Sequence, residues 1–142
     1  MTVHRVDQGM AAAAARLLPD KVDKELRTRY RQLRVMLHTA GLAATYAFIA
    51  SKAGDTDDAA TPAGQDSLAR AYRDTAAGIR AQLADLGVFS SDVRQMGVLE
   101  FMTELGGMDS VRYARASAEA SAFVGWLSRL ADATWQERDE RA

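Results

Sequence analysis

The chain has 142 residues, of which 48% are apolar and 26% are charged, with a net charge of −1 and no cysteine. This length and apolar content are typical of one soluble domain, so we predict a single domain over residues 1–142. The lack of cysteine excludes disulfides and thiolate metal sites. No apolar run reaches the length of a membrane span, and residues 1–10 do not have the order of a signal peptide. We therefore expect a cytoplasmic protein with no membrane partner.

Apolar residues recur at helical spacing in at least four segments, and no segment alternates apolar and polar residues as a strand does. The first predicted helix covers about residues 7–18. Pro19-Asp20 then restarts the chain into a long helix that ends near His38. Gly41 is expected to close this helix, because glycine adopts the backbone conformations that end helices. The third predicted helix covers about residues 42–53.

The second half of the chain predicts three more helices, after a flexible loop over about residues 54–66 that is rich in Ala, Asp, Thr and Gly. We therefore predict an all-α fold, a compact bundle of five or six helices, with a frayed tail over about residues 136–142. The fourth predicted helix is capped by Asp66 or Ser67 and ends at Gly87. The fifth is capped by Ser90 or Ser91 and ends at Gly106–Gly107. The last is capped by Asp109 or Ser110 and ends near Gln136.

One face of the predicted second helix carries a row of basic side chains. Arg27, Arg31, Arg34 and His38 are spaced four, three and four residues apart, which places them on one side of a helix. Residues 21–34 hold six basic residues against two acidic ones. A local basic face of this kind is typical of proteins that bind nucleic acid. Such charge runs are more often only solvent-exposed surface, and the residues alone favour that second interpretation. The neighbouring face of the same helix is apolar and predicts burial: Val22, Leu26, Tyr30, Leu33 and Leu37.

The sequence offers little for catalysis. His4 lies in an N-terminal segment that is expected to be mobile, and His38 has no carboxylate partner nearby in sequence that would make it a catalytic base. Glu100 and Glu104 lie one turn apart without a nearby histidine, so a solvated pair is expected rather than a metal site. No P-loop, GxSxG or HExxH pattern is present. We therefore predict no catalytic residue, no metal site, no cofactor and no enzymatic activity. The aromatic residues follow apolar stripes and predict core positions, except Trp135, which is expected to contact a neighbouring subunit.

Two segments carry a resemblance to a known family. The chain resembles the small helical subunit of type III-B CRISPR effector complexes, the Cmr complex. It differs at Arg34, where the family often has Pro, and at Ala40, where the family often has Asn. The matching residues are Tyr30, Leu33, Gly41-Leu42, Thr45, Ala47-Phe48 and Lys52 in the first segment, and Tyr113, Glu119-Ala120, Phe123, Trp126-Leu127 and Arg129 in the second.

The resemblance implies a non-catalytic RNA-binding subunit that acts in antiviral defence. Several copies would stack along the complex and contact the backbone of the guide–target RNA duplex, while another subunit cuts the target. The implied partners are CRISPR RNA, target RNA and the other subunits, including further copies of the chain itself. Lys and Arg contacts to phosphate oxygens suffice for this role. The alternatives are a helical scaffold or oligomerisation protein without nucleic-acid binding, and the small subunit of a type III-A complex. The RNA-binding candidates are Arg27, Arg31, Arg34, His38, Lys52, Arg70, Arg73, Arg112 and Arg115.

Overall fold

The computed structural model describes the backbone of residues 6–54 and 63–141 and the side chains of residues 8–54 and 67–135. Over these residues the protein is a compact all-α bundle without strands, which confirms the predicted fold class. None of the helices in this part of the chain is both long and apolar enough to cross a membrane. The helices are α1 (Val6–Leu17), α2 (Lys24–Ala40), α3 (Leu42–Ala53), α4 (Ala63–Leu86), α5 (Val98–Gly106) and α6 (Ser110–Arg141), with a 3₁₀ turn at Val93–Gln95 before α5.

The long helices α2 and α6 lie side by side and antiparallel. At one end, the amide of Ala43, just after the turn at Gly41, donates a hydrogen bond of 3.3 Å to the Tyr113 hydroxyl near the start of α6. At the other end, Arg27 near the start of α2 contacts Asp132 near the end of α6. Gly41 has a φ of 94°, which L-residues rarely adopt, so glycine permits the tight turn between α2 and α3.

The remaining helices cover the other sides of this pair. Helix α4 packs against α6 and α3, α3 also contacts α2, and α1 packs against α6 and α4. Helix α5 packs on α3, where the rings of Phe101 and Tyr46 stack with centroids 4.1 Å apart. Gly78 of α4 lies against the ring of the fully buried Phe123 of α6, with too little space for a side chain.

The apolar stripe predicted for the second helix is confirmed, because Leu26, Tyr30, Leu33 and Leu37 are all buried. The start of that helix is later than the predicted restart at Pro19-Asp20. Helix α2 begins at Lys24, because the Asp23 carboxylate accepts the Leu26 amide at 2.7 Å and so satisfies one of the free N–H groups of the first turn.

The cap predicted at Asp66 or Ser67 is wrong, because the α4 backbone is already helical from Ala63. After Pro62 the chain has no further proline, so every residue from Ala63 onward has the amide hydrogen that a helix needs. Residues 55–62 lie outside the described residues, so the flexibility predicted for residues 54–66 stays a prediction.

The predicted fifth helix is two elements, and its predicted cap at Ser90 or Ser91 is wrong. Asp92 caps the 3₁₀ turn instead, with its carboxylate accepting the Arg94 amide at 3.1 Å. Gly97 then has an extended backbone and α5 starts at the next residue. Glycine is a poor helix former, which explains the break inside a continuous apolar pattern.

The predicted start of the last helix is confirmed, since the Asp109 carboxylate accepts the Arg112 amide at 2.8 Å. The helix continues to Arg141, beyond the predicted end near Gln136. The final residues contain neither Gly nor Pro and so have no strong helix-ending signal. The side chains beyond Trp135 lie outside the described residues, and fraying of the tail stays a prediction.

Candidate nucleic-acid interface

The basic side chains predicted to share one side of α2 lie beside its buried stripe, and the two nearest the start of the helix contact α6. We call this set the cationic flank of α2; it consists of Arg27, Arg31, Arg34 and His38. Its position follows from the sequence, because burial of the apolar stripe fixes the rotation of α2 about its axis. The contacts of Arg27 and Arg31 with α6 then fix the direction in which the whole flank points.

Two members of the flank form an ion-pair cluster with α6. Arg27 Nε and Arg31 Nη2 both donate to one oxygen of Asp132, Oδ1, at 2.7 and 3.0 Å. The Arg27 guanidinium also lies 5.8 Å from the centroid of the Trp135 ring, within the range of a cation–π contact. The hydrogen bond from Arg27, reinforced by Arg31, lowers the pKa of Asp132 below its ordinary value despite partial burial. Asp132 is therefore ionised at neutral pH and neutralises part of the flank.

The other two members of the flank are exposed. Among the residues that the structure describes, neither Arg34 nor His38 has an acidic partner. Their N–H groups are directed away from the core and are not used to hold another helix. They extend the row of basic side chains from the Asp132 cluster toward the turn at Gly41.

Helix α6 carries two further exposed arginines. Arg129 precedes Asp132 by one turn, and its guanidinium lies 5.7 Å from the centroid of the Trp126 ring. Arg115 is exposed about four helical turns earlier, on nearly the same side of α6. We call the combined area the α2–α6 surface. It comprises Arg31, Arg34 and His38 on α2 and Arg115 and Arg129 on α6.

The other predicted candidates do not join this surface. Lys52 lies at the end of α3, 5.6 Å from the centroid of the Phe48 ring. Arg112 donates a hydrogen bond to the Val88 carbonyl and so ties α6 to the chain after α4. Arg73 is exposed on α4, and Arg70 lines a cleft of about 290 Å³ between α4 and the start of α2. That cleft also contains Asp23, Glu25 and Asp74, so its charge is mixed.

Sequence reasoning missed two residues of this region. Asp132 is more than 100 positions from its arginine partners, and no local pattern connects them. Arg129 was present in the family-like segment but not among the site candidates. It lies three residues after Trp126, and side chains three apart are neighbours on a helix, so the sequence could have predicted the contact between Arg129 and this ring.

The acidic pair Glu100 and Glu104 forms no larger cluster. Glu104 accepts a hydrogen bond of 2.8 Å from the Ser90 hydroxyl, which ties α5 to the preceding loop. Within residues 8–54 and 67–135, no group of three or more His, Asp or Glu side chains is placed to share a metal ion.

Comparison with known proteins identifies the family. The family model described as CRISPR-associated protein (Cas_Cmr5) matches residues 4–134. No curated protein matches the chain. The match includes both segments that carry the resemblance and the whole α2–α6 surface, and it selects the type III-B alternative over type III-A. The chain therefore belongs to the Cas_Cmr5 family, as a small subunit of the type III-B (Cmr) CRISPR effector complex that associates with the other subunits of that complex.

Proposed function

We propose that this subunit binds RNA without catalysis. In this proposal several copies are present in the complex, and each contacts the backbone of the guide–target RNA duplex through the α2–α6 surface. The observation that carries the proposal is the set of exposed basic side chains without acidic partners among the described residues: Arg34, His38, Arg115 and Arg129. Family membership supplies the RNA-guided context.

The chemistry of these side chains suits phosphate rather than base recognition. A guanidinium presents several N–H donors in one plane, which match the oxygens of a phosphate. Contacts of this kind fix the position of a nucleic acid without reading its sequence. The side chains extend from two packed helices, so the positions of their Cα atoms are fixed before RNA arrives. This role needs no nucleophile or general base.

The chain's net charge of −1 does not oppose this proposal. Screening at physiological salt limits exposed charges to a range of about 8 Å, so RNA responds to the local surface rather than to the total charge. Several acidic residues lie away from the α2–α6 surface, in the cleft beside Arg70 and in the pairs that Asp85 and Asp92 form with Arg94.

The test is RNA affinity of the assembled complex over a salt series. Arg34→Gln and Arg129→Gln each remove one proposed phosphate contact per copy. Each contact should contribute roughly 0.7 to 0.9 to the slope of log K against log salt. The double variant should therefore flatten the slope by about 1.5 for each copy that contacts the RNA, equally for unrelated RNA sequences.

Arg94→Gln is the matched control. Arg94 is also an exposed arginine, but its guanidinium pairs with Asp85 at 3.0 Å, away from the α2–α6 surface. Its replacement should leave the slope unchanged. If the double variant enters the complex normally and keeps the wild-type slope, the α2–α6 surface does not bind RNA.

A second candidate function is protein contact through α2. Val35, on the outer side of α2, has 57% of its surface exposed, and it lies between Arg31 and Thr39 on an open apolar area. Exposed apolar groups on a subunit often mark contacts with neighbours. Under this scaffold alternative, the α2 variants would fail to enter the complex, whereas the RNA proposal expects normal incorporation and weaker RNA binding.

A further inference from the structure

The arrangement of Arg27 and Arg31 around Asp132 is that of an anion-binding site, with the carboxylate of Asp132 as the bound anion. Two guanidinium groups from successive turns of α2 converge on a single oxygen, at 2.7 and 3.0 Å. A non-bridging phosphate oxygen carries negative charge and accepts hydrogen bonds in the same way as a carboxylate oxygen. The same two donors can therefore bind one phosphodiester group.

The helix that carries both donors is held by contacts that do not depend on Asp132. Leu26 and Tyr30, the residues next to Arg27 and Arg31 in sequence, are buried and fix this part of α2. The Trp135 ring lies beside the Arg27 guanidinium. Helix α6 is likewise held by Leu127 and Ala131, both fully buried. Release of the Asp132 carboxylate would thus leave both helices in place.

The Asp132 carboxylate is also exchangeable. Its side chain is 34% exposed, and that of Arg31 is 54% exposed, so solvent and ligands reach the pair. Ion pairs with this exposure contribute little to stability, because water solvates both partners well when they separate. A phosphate group can therefore replace the carboxylate at small cost.

We propose that Arg27 and Arg31 form a binding site for one phosphodiester group of RNA, and that Asp132 occupies this site until RNA displaces it. This inference rests on the proposed function, because it assumes that RNA lies along the α2–α6 surface. Arg34 and His38 continue the same flank and hold the neighbouring part of the backbone. Asp132 then acts as a competitor within the chain, which disfavours single phosphate ions and favours a backbone that also reaches Arg34.

The test replaces Asp132 by the nearly isosteric, neutral asparagine in the assembled complex. Asp132→Asn should raise RNA affinity by about two- to fivefold, the factor that corresponds to a partly exposed ion pair. It should also steepen the slope of log K against log salt by roughly 0.7 to 0.9 per bound copy. The reason is that the arginines freed from Asp132 bind anions from the salt, and RNA must displace these ions when it binds. Asp85→Asn is the matched control, since Asp85 pairs with one arginine away from the surface; it should change neither quantity.

A double-mutant cycle makes the test specific. In a chain that already carries Arg27→Gln and Arg31→Gln, the Asp132→Asn change should have no effect on affinity. Asp132→Ser provides a second neutral variant, should Asp132→Asn enter the complex poorly. Unchanged or lower affinity of these neutral variants would overturn the phosphate site at Arg27 and Arg31. Arg34→Gln, measured alongside, reports on the proposed function separately: if it lowers affinity while Asp132→Asn does not raise it, RNA binds the surface but does not displace Asp132.

Discussion

The packing of α6 against α4 makes a sharp prediction for Gly78. A Cβ atom at this position would lie 2.7 and 2.8 Å from two ring carbons of Phe123 and 2.9 Å from a methyl carbon of Leu17. Phe123 is fully buried, so its ring cannot move into solvent. Overpacking of this kind costs about 1–3 kcal/mol, whereas replacing a helical glycine by alanine gains about 1 kcal/mol of helix propensity. Gly78→Ala should therefore lower the free energy of unfolding by about 1 kcal/mol.

Gly125 provides a matched control on the partner helix. A Cβ atom there would have no neighbour within 4 Å. Gly125→Ala should thus show only the helix-propensity gain, a stabilisation of about 0.5–1 kcal/mol. The measurement is urea unfolding of the isolated chain followed by circular dichroism at the helix band. If Gly78→Ala is as stable as Gly125→Ala, the close approach of α4 and α6 at Phe123 is wrong.

Three further predictions concern charge, chemistry and assembly. Because the pKa of Asp132 is lowered in the folded state, its stabilising effect is present above its ordinary value of 3.8 and is lost as the pH falls below it. The difference in unfolding free energy between wild type and Asp132→Asn should therefore shrink in acid titrations from neutral pH to below pH ~4; a difference that grows would contradict the ion-pair cluster. The purified chain should not cleave RNA with or without divalent cations; cleavage abolished by Glu100→Gln or Glu104→Gln would refute the non-catalytic role. Native mass spectrometry of the complex should find more than one copy of the chain, and a single copy would contradict the proposed stacking along RNA.

Most of the helical architecture could be predicted from the sequence because local patterns determine it. The spacing of Leu26, Tyr30, Leu33 and Leu37 fixes both the existence of α2 and the face that it buries. Gly41 marks its end. The break before α5 was missed because the apolar spacing continues across Gly97, and the local preference of one glycine overrides that pattern.

The candidate site was only partly predictable. Helical spacing correctly grouped the four members of the cationic flank, because they share one helix. It could not separate Arg27, which is held by Asp132 and Trp135, from Arg34, which has no acidic partner in the described part of the chain. That difference depends on the packing of α2 against α6, which brings together residues about 100 positions apart.

The most direct test of RNA binding by the α2–α6 surface is site-specific photocrosslinking in the assembled complex bound to target RNA. A photoreactive benzoylphenylalanine at position 38 lies on the cationic flank. One at position 99 replaces a leucine that is 83% exposed on α5, the helix that packs on α3. We expect crosslinks to RNA from position 38 and none from position 99. RNA crosslinks from position 99 alone, with only protein crosslinks from position 38, would contradict this expectation.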